Sequence, residues 1–317
     1  MTNKEKYIEF CKTEPTIPLY SRPWWLDCVC GEKKWDVLLS QQDTNIVATM
    51  PYYMPCEGII IMPPFSQTMG VWFNPVFEIS NYARNLHRKQ AICECFIKQL
   101  PKLSYFEQNF NTEFTDWLPF YWNGFRQTTR YTYILESIEN KEILEKNLSI
   151  KKRQNIKKAL EKSHLTVKTG VLIDDFMKIN MQTFERQGLA PYHQNRLKRL
   201  IETARQNRCG EIWGAYDTQN HLHAAAFIVW QENCAYYISG GNVSQFLNTG
   251  GLTFVVWTAI CDIANKSKSF DFEGSMLKGV ETFFREFGAI QKPYFKIEKG
   301  NLNLINKIKL KMSILNN

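Results

Sequence analysis

The feature that most constrains the fold of this chain is an order of strands and helices that occurs twice. Two β-rich runs around a polar turn occupy residues 35–54, and a second pair of the same kind occupies residues 211–230. An aromatic segment followed by a strand also recurs, first at 120–135 and then at 283–297. This recurrence predicts two similar α/β halves that arose by duplication.

The spacing of apolar residues predicts helices and strands in both halves. In the first half, helices are predicted at 22–30 and 79–100, and strands at 35–40, 46–54, 59–62, 105–110 and 131–135. In the second half, helices are predicted at 174–187, 251–264 and 280–287, strands at 165–168, 211–216, 223–230, 234–239, 269–273 and 293–297, and a turn at 240–242. We therefore expect an α/β (α+β) fold with domains at 1–137 and 165–300, a basic helical connector at 138–164 and a basic C-terminal segment at 301–317.

Charge and cysteine content restrict the partners and the compartment of the chain. Its 39 Lys and Arg residues and 31 Asp and Glu residues give a formal net charge of +8, which favours an anionic partner such as phosphate, a nucleotide-linked substrate or RNA. The nine cysteines lack the spacing of a metal site or a disulfide framework, so we expect free thiols and a cytoplasmic protein. We expect no membrane span, since the apolar runs fall far short of about 20 residues, and no export signal.

Two carboxylates near the end of a predicted strand are candidates for catalysis. Alternation in Ser269-Phe-Asp-Phe-Glu-Gly-Ser places Asp271 and Glu273 on one face of the strand. A carboxylate at a strand end that opens on a cleft is able to take a proton from an attacking amine. Glu273 is favoured for this role, because Asp271 is the better candidate for a cap or for an ion pair with a neighbouring lysine.

A glycine-bounded loop and an arginine follow this strand. The loop brings backbone N–H groups, Ser275 and Lys278 towards an anion, and Arg285 follows within two helical turns. A cation at that place is able to bind a phosphate or the oxyanion that forms when a carbonyl is attacked. Arg285 is equally well explained as a surface residue paired with Glu281 or Glu286.

Two further segments are candidates for binding an anion. Asn248, Gly250 and Gly251 precede a predicted helix, where free N–H groups attract anions, although a plain helix cap explains them as well. The basic connector presents Arg153 and Lys157 either as solvated charges or as a platform for a phosphate-bearing substrate.

Other catalytic motifs are absent from the sequence. There is no Gly-x-x-x-x-Gly-Lys-Ser/Thr loop, no Gly-x-Ser-x-Gly segment and no His-Glu-x-x-His segment. His221 and His223 are predicted to be exposed histidines of a hairpin turn without a carboxylate partner. We expect no metal.

Three segments of the second half form a recognisable series. They are the strand Phe-Asp-Phe-Glu-Gly-Ser, then Gly279-Val-x-x-Phe-Phe-Arg-x-Phe-Gly288, and then Pro293-Tyr294. This series resembles the second domain of Fem-type proteins, which are tandem GNAT-fold acyltransferases, and residues 152–159 look like their interdomain signature. The first half matches mainly by topology. The resemblance implies two tandem GNAT-like domains, each a mixed, mostly antiparallel sheet flanked by helices.

The resemblance to Fem-type enzymes also implies a reaction. It implies transfer of an aminoacyl group from aminoacyl-tRNA onto an amine of a peptidoglycan precursor, without a metal or a covalently bound cofactor, whereas related branches use acyl-CoA. The family has a Lys at the donor carbonyl, and here Arg285 takes that place. Arginine is able to stabilise an oxyanion but cannot shuttle a proton at neutral pH. Residues 244–251 do not match the Gln/Arg-x-x-Gly-x-Gly/Ala signature for CoA.

The leading hypothesis is an N-acyltransferase whose acceptor amine attacks an activated carbonyl between the strands that end at Ser239 and Glu273. The catalytic candidates are Glu273 as the base, Asp271 and Arg285. The candidates for binding the donor or substrate are Lys278, Ser275, Gly250, Gly251, Asn248, Ser239, Asn242, Tyr294, Arg153 and Lys157. Two alternatives stay open: an acyl-CoA-dependent GNAT enzyme, and a non-catalytic protein that binds an anionic ligand on the same fold.

Overall fold

The computed structural model of the chain describes residues 1–188, 193–274 and 276–315. The helices are α1 (Asn3–Thr13), α2 (Pro23–Cys30), α3 (Tyr82–Gln99), α4 (Leu118–Trp122), α5 (Lys141–Asn147), α6 (Ile150–Glu161), α7 (Ile173–Arg186), α8 (Gln194–Gln206), α9 (Gly251–Ile263), α10 (Lys278–Arg285) and α11 (Leu304–Leu315). The strands are β1 (Trp35–Gln42), β2 (Asn45–Cys56), β3 (Ile59–Ile61), β4 (Trp72–Phe73), β5 (Tyr105–Phe110), β6 (Arg126–Leu135), β7 (Thr166–Thr169), β8 (Gly210–Tyr216), β9 (Leu222–Trp230), β10 (Cys234–Asn242), β11 (Ser269–Asp271) and β12 (Ile290–Gly300). The predicted α/β class is confirmed.

The chain divides into two compact units. The first unit consists of Met1–Arg130 and Pro293–Asn317, and the second is Tyr131–Lys292. The basic connector helix α6 belongs to the second unit. Within the described ranges, no helix combines the length and the apolar character needed to cross a membrane.

The first unit is built on strands in the order β1-β2-β3-β5-β12, with β4 paired to β2. The predicted hairpin is present as the antiparallel pair β1–β2, whereas β3 and β5 run parallel. In β5 every second residue is buried, which is the period of two expected for a strand with one face on a core. Helix α3 adds Cys93 and Phe96 to that core, where they pack with Phe106, Phe110 and Phe120.

The second unit is built on strands in the order β6-β11-β10-β9-β8-β7. The predicted hairpin is again present as the antiparallel pair β8–β9. Strands β10 and β11 run parallel, and α9 forms the crossover between them. Most of α9 is apolar, and Val255, Val256, Ile260 and Ile263 are fully buried with Phe270 of β11. This helix is therefore the centre of the core of the second unit.

The turn predicted at 240–242 is wrong, because β10 continues through it to Asn242. The two glycines serve close packing instead of a turn. A Cβ atom at Gly240 would lie 2.5 Å from the Tyr237 hydroxyl oxygen, and one at Gly241 would overlap the Thr183 hydroxyl. Glycine pairs that permit close approach look like turn signals in a sequence.

The strand predicted at 269–273 is shorter than expected. It ends at Asp271 because Glu273 has a φ angle of 54°, in the left-handed region, which breaks the extended backbone. The sequence reasoning also missed helices α1, α8 and α11, and it did not separate α5 from α6 within the helical connector. Helix α8 carries its signal in the spacing of Leu197, Leu200 and Ile201, which are buried as an apolar stripe.

Candidate functional site

The chain makes a tight turn directly after β11, at the candidate base Glu273. Asp271 accepts a hydrogen bond from the Glu273 backbone N–H at 2.7 Å and another from the Thr132 hydroxyl. The same Thr132 oxygen accepts the Gly274 N–H at 3.0 Å. Thr132 lies on β6, next to β11 in the sheet of the second unit. This network fixes the backbone on both sides of the half-buried Glu273.

Gly274 is the residue of this turn that tolerates no side chain. A Cβ atom there would overlap the carbonyl oxygen of Tyr131 and would lie 2.6 Å from the Cα atom of Thr132. The backbone of the turn is therefore pressed against β6. Only glycine permits this approach, so the position of Glu273 depends on Gly274.

The fold alters the ionisation of Asp271, the carboxylate that holds this turn. It is 6% exposed, and burial raises its pKa to about 6, although the hydrogen bonds from Thr132 and from the Glu273 backbone act in the opposite direction. The sequence placed Asp271 and Glu273 on one strand face and favoured Glu273 as the base. In the structure Asp271 is an internal acceptor that holds the turn, and the turn carries Glu273.

Strand β10 is irregular beside this turn. Its parallel pairing with β11 covers Cys234 to Tyr236, whereas its antiparallel pairing with β9 runs from Ala235 to Asn242. The register with β9 shifts between Tyr237 and Ser239, which leaves Ile238 as the extra residue of a bulge. A bulge redirects backbone groups and bends the strand. The backbone of β10 is thus distorted where β11 has already ended.

A basic cleft of about 360 Å³ lies at the start of α9 and is lined by residues of α6, α9, α10 and the end of β10, all in the second unit. Its charged lining residues are Lys151, Lys152, Lys158 and Glu286. Of the residues selected from the sequence, Asn242, Asn248 and Gly250 line it. The cleft therefore combines an excess of positive charge with amide side chains.

The start of α9 contributes backbone N–H groups to the same region. Gly250 precedes the helix with φ 79° and has no capping side chain, and a Cβ atom there would overlap the carbonyl oxygen of Asn155 on α6. Asn242 Oδ1 accepts the Leu252 N–H at 3.2 Å, and Thr249 Oγ1 accepts the Gly251 N–H at 3.4 Å. These bonds are long, so an anion is able to compete for the same donors.

Lys152 is one of three cleft lysines, with Lys151 and Lys158, that the sequence reasoning did not select. Its side chain is 1% exposed, and its Nζ lies 3.2 Å from the ring centroid of Phe283 and 4.4 Å from that of Phe287. The nearest carboxylate oxygen, on Glu286, is 3.9 Å away. Burial lowers the pKa of Lys152 to about 7; Glu286 raises it and Lys151 lowers it. The signal in the sequence was the run of cations on α6, but nothing in it distinguished the buried lysine from its exposed neighbours.

Several other predicted residues lie away from the cleft. Arg285 is on the surface of α10, and its Nε donates to Glu281 Oε1 at 2.7 Å, so the surface ion pair considered from the sequence is formed. Lys278 is exposed at the first turn of α10. Tyr294 is buried in the first unit. Ser275 lies outside the described residues.

The two cations chosen on α6 are exposed, whereas the neighbouring lysines of the same helix line the cleft. Arg153 is exposed, and Lys157 lies 3.7 Å from Glu161, one helical turn away. Ser239 accepts a hydrogen bond at 2.8 Å from Asn180, a buried residue of α7. The periodicity of α6 thus brings one side of the helix to the cleft and leaves the other in solvent.

The prediction of exposed histidines without a carboxylate partner is wrong for both residues in its second part. His221 is exposed but His223 is buried, and both rings hydrogen-bond to the carboxylate of Asp217. Desolvation acts to raise the pKa of Asp217, but hydrogen bonds from the His221 backbone and from both rings outweigh it and lower the pKa to about 2. The His223 ring also stacks on Phe246, with 3.7 Å between centroids. Within the described ranges, no group of three or more metal-ligating side chains is placed to hold an ion.

We predict that Gly274→Ala destabilises the protein by about 1–3 kcal/mol or more, because the added methyl group overlaps the backbone of β6. Gly279→Ala is the matched control. A Cβ atom at Gly279 meets nothing within 4 Å, and the residue lies in helix α10, so this change should be neutral or slightly stabilising. The measurement is chemical denaturation of both variants. Equal stability of the two variants would contradict the tight approach of the turn to β6.

We predict that Lys152→Met raises the stability of the protein at pH 6 to 7 by roughly 1–4 kcal/mol, because a buried, poorly paired charge is replaced by an apolar chain of similar length. The folded-state pKa of about 7 lies below the ordinary value of 10.5, so the unfolded chain binds more protons between these two values. The contribution of Lys152 to the free energy of unfolding therefore rises as the pH increases from about 7 to about 10.5.

In Lys152→Met this rise should be absent, which denaturation at several pH values would measure. Lys157→Met is the control, since Lys157 is exposed on the same helix and its loss should change stability by less than about 0.5 kcal/mol. A Lys152→Met variant that is less stable than the wild type at pH 6, with the same dependence on pH, would show that Lys152 is not an uncompensated buried charge.

Comparison with known proteins gives relatives in structure and none in sequence. No protein-family model and no curated protein match the sequence. The crystal structure of FemX superposes with a TM-score of 0.68, at 13% identity, over 93% of this chain and 96% of that one. The DUF2156 C-terminal domain of a candidate lysylphosphatidylglycerol synthetase from Agrobacterium fabrum gives a TM-score of 0.52, at 11% identity, over 91% and 90% of the two chains. L-PGS from Bacillus licheniformis gives 0.50, at 11% identity, over 89% of each.

The likeness to FemX extends over nearly the whole of both chains. Identities this low carry information about the fold and not about substrates or partners. The resemblance to Fem-type proteins stated from the sequence is confirmed at this level. The chain has the fold of FemX.

Proposed function

We propose that this protein is an acyltransferase that moves an acyl or aminoacyl group from a phosphate-bearing donor to an amine. The observation that carries the proposal is the basic cleft of the second unit, where Lys151, Lys152 and Lys158 surround the start of α9. Cations together with backbone N–H groups at a helix start favour the binding of phosphate groups. Such groups are common to aminoacyl-tRNA and to acyl-CoA.

The donor carbonyl is proposed to lie beside the bulge of β10. The extra residue Ile238 breaks the regular pairing there, and the turn that carries Glu273 follows the neighbouring strand β11. Backbone N–H groups that are not used in the regular hydrogen bonding of a sheet are suited to stabilise an oxyanion. The bulge and the turn lie at the ends of the same short parallel pair, which supports a common site.

The proposed reaction needs one base. The acceptor nitrogen attacks the donor carbonyl carbon, a C–N bond forms, and the bond from that carbon to the oxygen or sulfur of the donor breaks. Glu273 takes the proton that the attacking amine loses and passes it to the oxygen or sulfur that leaves with the donor. Asp271 is a positioning residue, because its carboxylate holds the backbone of the turn through the Glu273 N–H. Arg285 does not line the cleft, whereas the three lysines of α6 do, so these lysines are better placed than Arg285 to meet the donor phosphates.

Aminoacyl-tRNA is the favoured donor. The fold is that of FemX, and the resemblance of residues 152–159 and 269–288 to Fem-type proteins implies this donor. The name of the domain from Agrobacterium fabrum also refers to the attachment of an amino acid, lysine, to a lipid. Acyl-CoA is the second candidate, since a cleft of about 360 Å³ at a helix start also suits a diphosphate, although residues 244–251 lack the CoA signature.

We predict that Lys151→Glu and Lys158→Glu each weaken donor binding at least about tenfold, because each replaces attraction to a phosphate by repulsion. Isothermal titration with an aminoacylated tRNA and with coenzyme A measures this effect and identifies the donor. Lys157→Glu is the matched control on the same helix, since Lys157 does not line the cleft and should bind the donor within about threefold of the wild type.

Binding of tRNA alone supports the aminoacyl reaction, and binding of coenzyme A alone supports the second candidate. If binding of the donor falls equally in all three lysine variants, the donor does not bind at the side of α6 that lines the cleft. A wild-type protein that binds neither donor would contradict the proposed function.

We predict that Glu273→Gln lowers turnover by about 10²- to 10⁴-fold, because the amide keeps the shape of the side chain but cannot accept the proton of the amine. The measurement is turnover with the donor identified above and a panel of amines. The melting temperature of the variant should stay at the wild-type value. Glu161→Gln, an exposed change on α6, controls for the substitution itself. Unchanged turnover in Glu273→Gln would remove this residue from the mechanism.

A further inference from the structure

The second unit contains a buried arginine for which the described residues provide no acceptor. Arg196, on α8, is 3% exposed, and neither its Nη1 nor its Nη2 has a hydrogen-bond partner within the described parts of the chain. No described Asp or Glu oxygen is recorded within 4.0 Å of its guanidinium. Burying a charge without a partner is costly, and buried cations in proteins are normally paired.

A second buried polar atom lies on the same helix. Gln194 Oε1 also lacks a hydrogen-bond partner among the described residues, while its Nε2 donates to Asn180 Oδ1 at 3.0 Å. Asn180 in turn donates to Ser239 Oγ at 2.8 Å. Ser239 directly follows the bulge of β10. A chain of hydrogen bonds therefore connects α8 to the strand beside which the donor carbonyl is proposed to lie.

Arg196 disfavours a second positive charge beside it. The neighbouring His193 is half-buried, and burial together with the positive charge of Arg196 lowers the pKa of His193. The guanidinium thus contributes a single positive charge to a shielded region. One monoanion neutralises it, whereas a phosphate dianion would leave a buried negative charge.

We infer that Arg196 and Gln194 form a binding site for a carboxylate with an adjacent N–H group, as found in an amino acid or at the end of a peptide. The two Nη atoms of a guanidinium match the two oxygens of a carboxylate in a bidentate pair. The Gln194 oxygen needs a donor, which the N–H group supplies. Both residues lie in the first turn of α8, and the inference is that one ligand pairs with both groups.

This site supplies the acceptor side of the reaction, a role that rests on the proposed function. The hydrogen-bonded chain through Asn180 to Ser239 places the carboxylate site next to the strand of the proposed transfer. Because the guanidinium is shielded from solvent, the structure around it must open locally for the ligand to enter. Association should accordingly be slower than is typical for a preformed site.

The test compares carboxylates with their amides. Alanine and alanylalanine should bind the wild-type protein and raise its melting temperature, whereas alaninamide and alanylalaninamide should not. Arg196→Met should weaken binding of alanylalanine by about 10- to 100-fold, the range expected for hydrogen bonds to a charged group. Arg196→Lys keeps the positive charge but removes the two Nη atoms that pair with a carboxylate. Its affinity for alanylalanine should fall by less than that of Arg196→Met. Arg199→Met, at an exposed position of the same helix, should bind as the wild type does.

The ligand-free stability of Arg196→Met is a second readout. It should equal or exceed that of the wild type, because a buried charge without an internal partner has been removed. A clear loss of stability would show that Arg196 holds the fold together and would overturn the inference. Equal binding of acids and amides, or binding of inorganic phosphate in place of the acids, would overturn it as well.

The outcome is separable from that of the proposed function. Lys151→Glu should weaken binding of the donor and leave binding of alanylalanine unchanged, whereas Arg196→Met should leave binding of the donor unchanged. A protein that binds carboxylates through Arg196 but transfers no acyl group would refute the proposed function alone.

Discussion

Strands β10 and β11 run parallel, and a parallel pair cannot be joined by a tight turn, so the chain needs a crossover between them. Helix α9 is that crossover, and its apolar faces fill the core of the second unit. The start of the helix must then lie near the end of β10, where the pairing with β11 has already stopped. The cleft, the exposed backbone at the helix start and the turn at Glu273 all depend on this one connection.

The crossover also explains why the glycines of the second unit are not interchangeable. Gly250 lets α6 approach the start of α9, Gly241 lets α7 approach β10, and Gly274 lets the turn approach β6. Each removes the side chain at a point where two elements meet. The cleft is formed by backbones that approach more closely than side chains would allow.

Much of the fold could be predicted from local patterns. Both hairpins, the strand at 105–110 and helices α2, α3, α6 and α9 follow from periodicity and turn signals, which act within a few residues. The turn at 240–242 could not be predicted correctly, because the glycines at 240 and 241 are required by close packing in the folded structure and not by a local turn. Helix α8 was missed although its apolar residues have helical spacing.

The site was less predictable than the fold for the same reason. Asn242, Asn248 and Gly250 were identified from the sequence as candidates near a helix start, and they do line the cleft. On α6 the choice of Arg153 and Lys157 selected cations by type, whereas burial depends on which side of the helix meets α9 and α10. Lys152 and Arg196 are both buried cations on polar helices. Composition alone does not separate such residues from solvated charges.

The environment of Lys152 has a consequence for energetics. An amine whose pKa is about 7 is only partly protonated in the free protein at neutral pH. A phosphate group that enters the cleft favours the protonated form, so binding draws a proton from the solvent. The heat of binding will therefore vary with the ionisation enthalpy of the buffer, and affinity will decline as the solution becomes alkaline. The cleft thus couples occupancy by an anion to the proton concentration through one side chain that faces two aromatic rings.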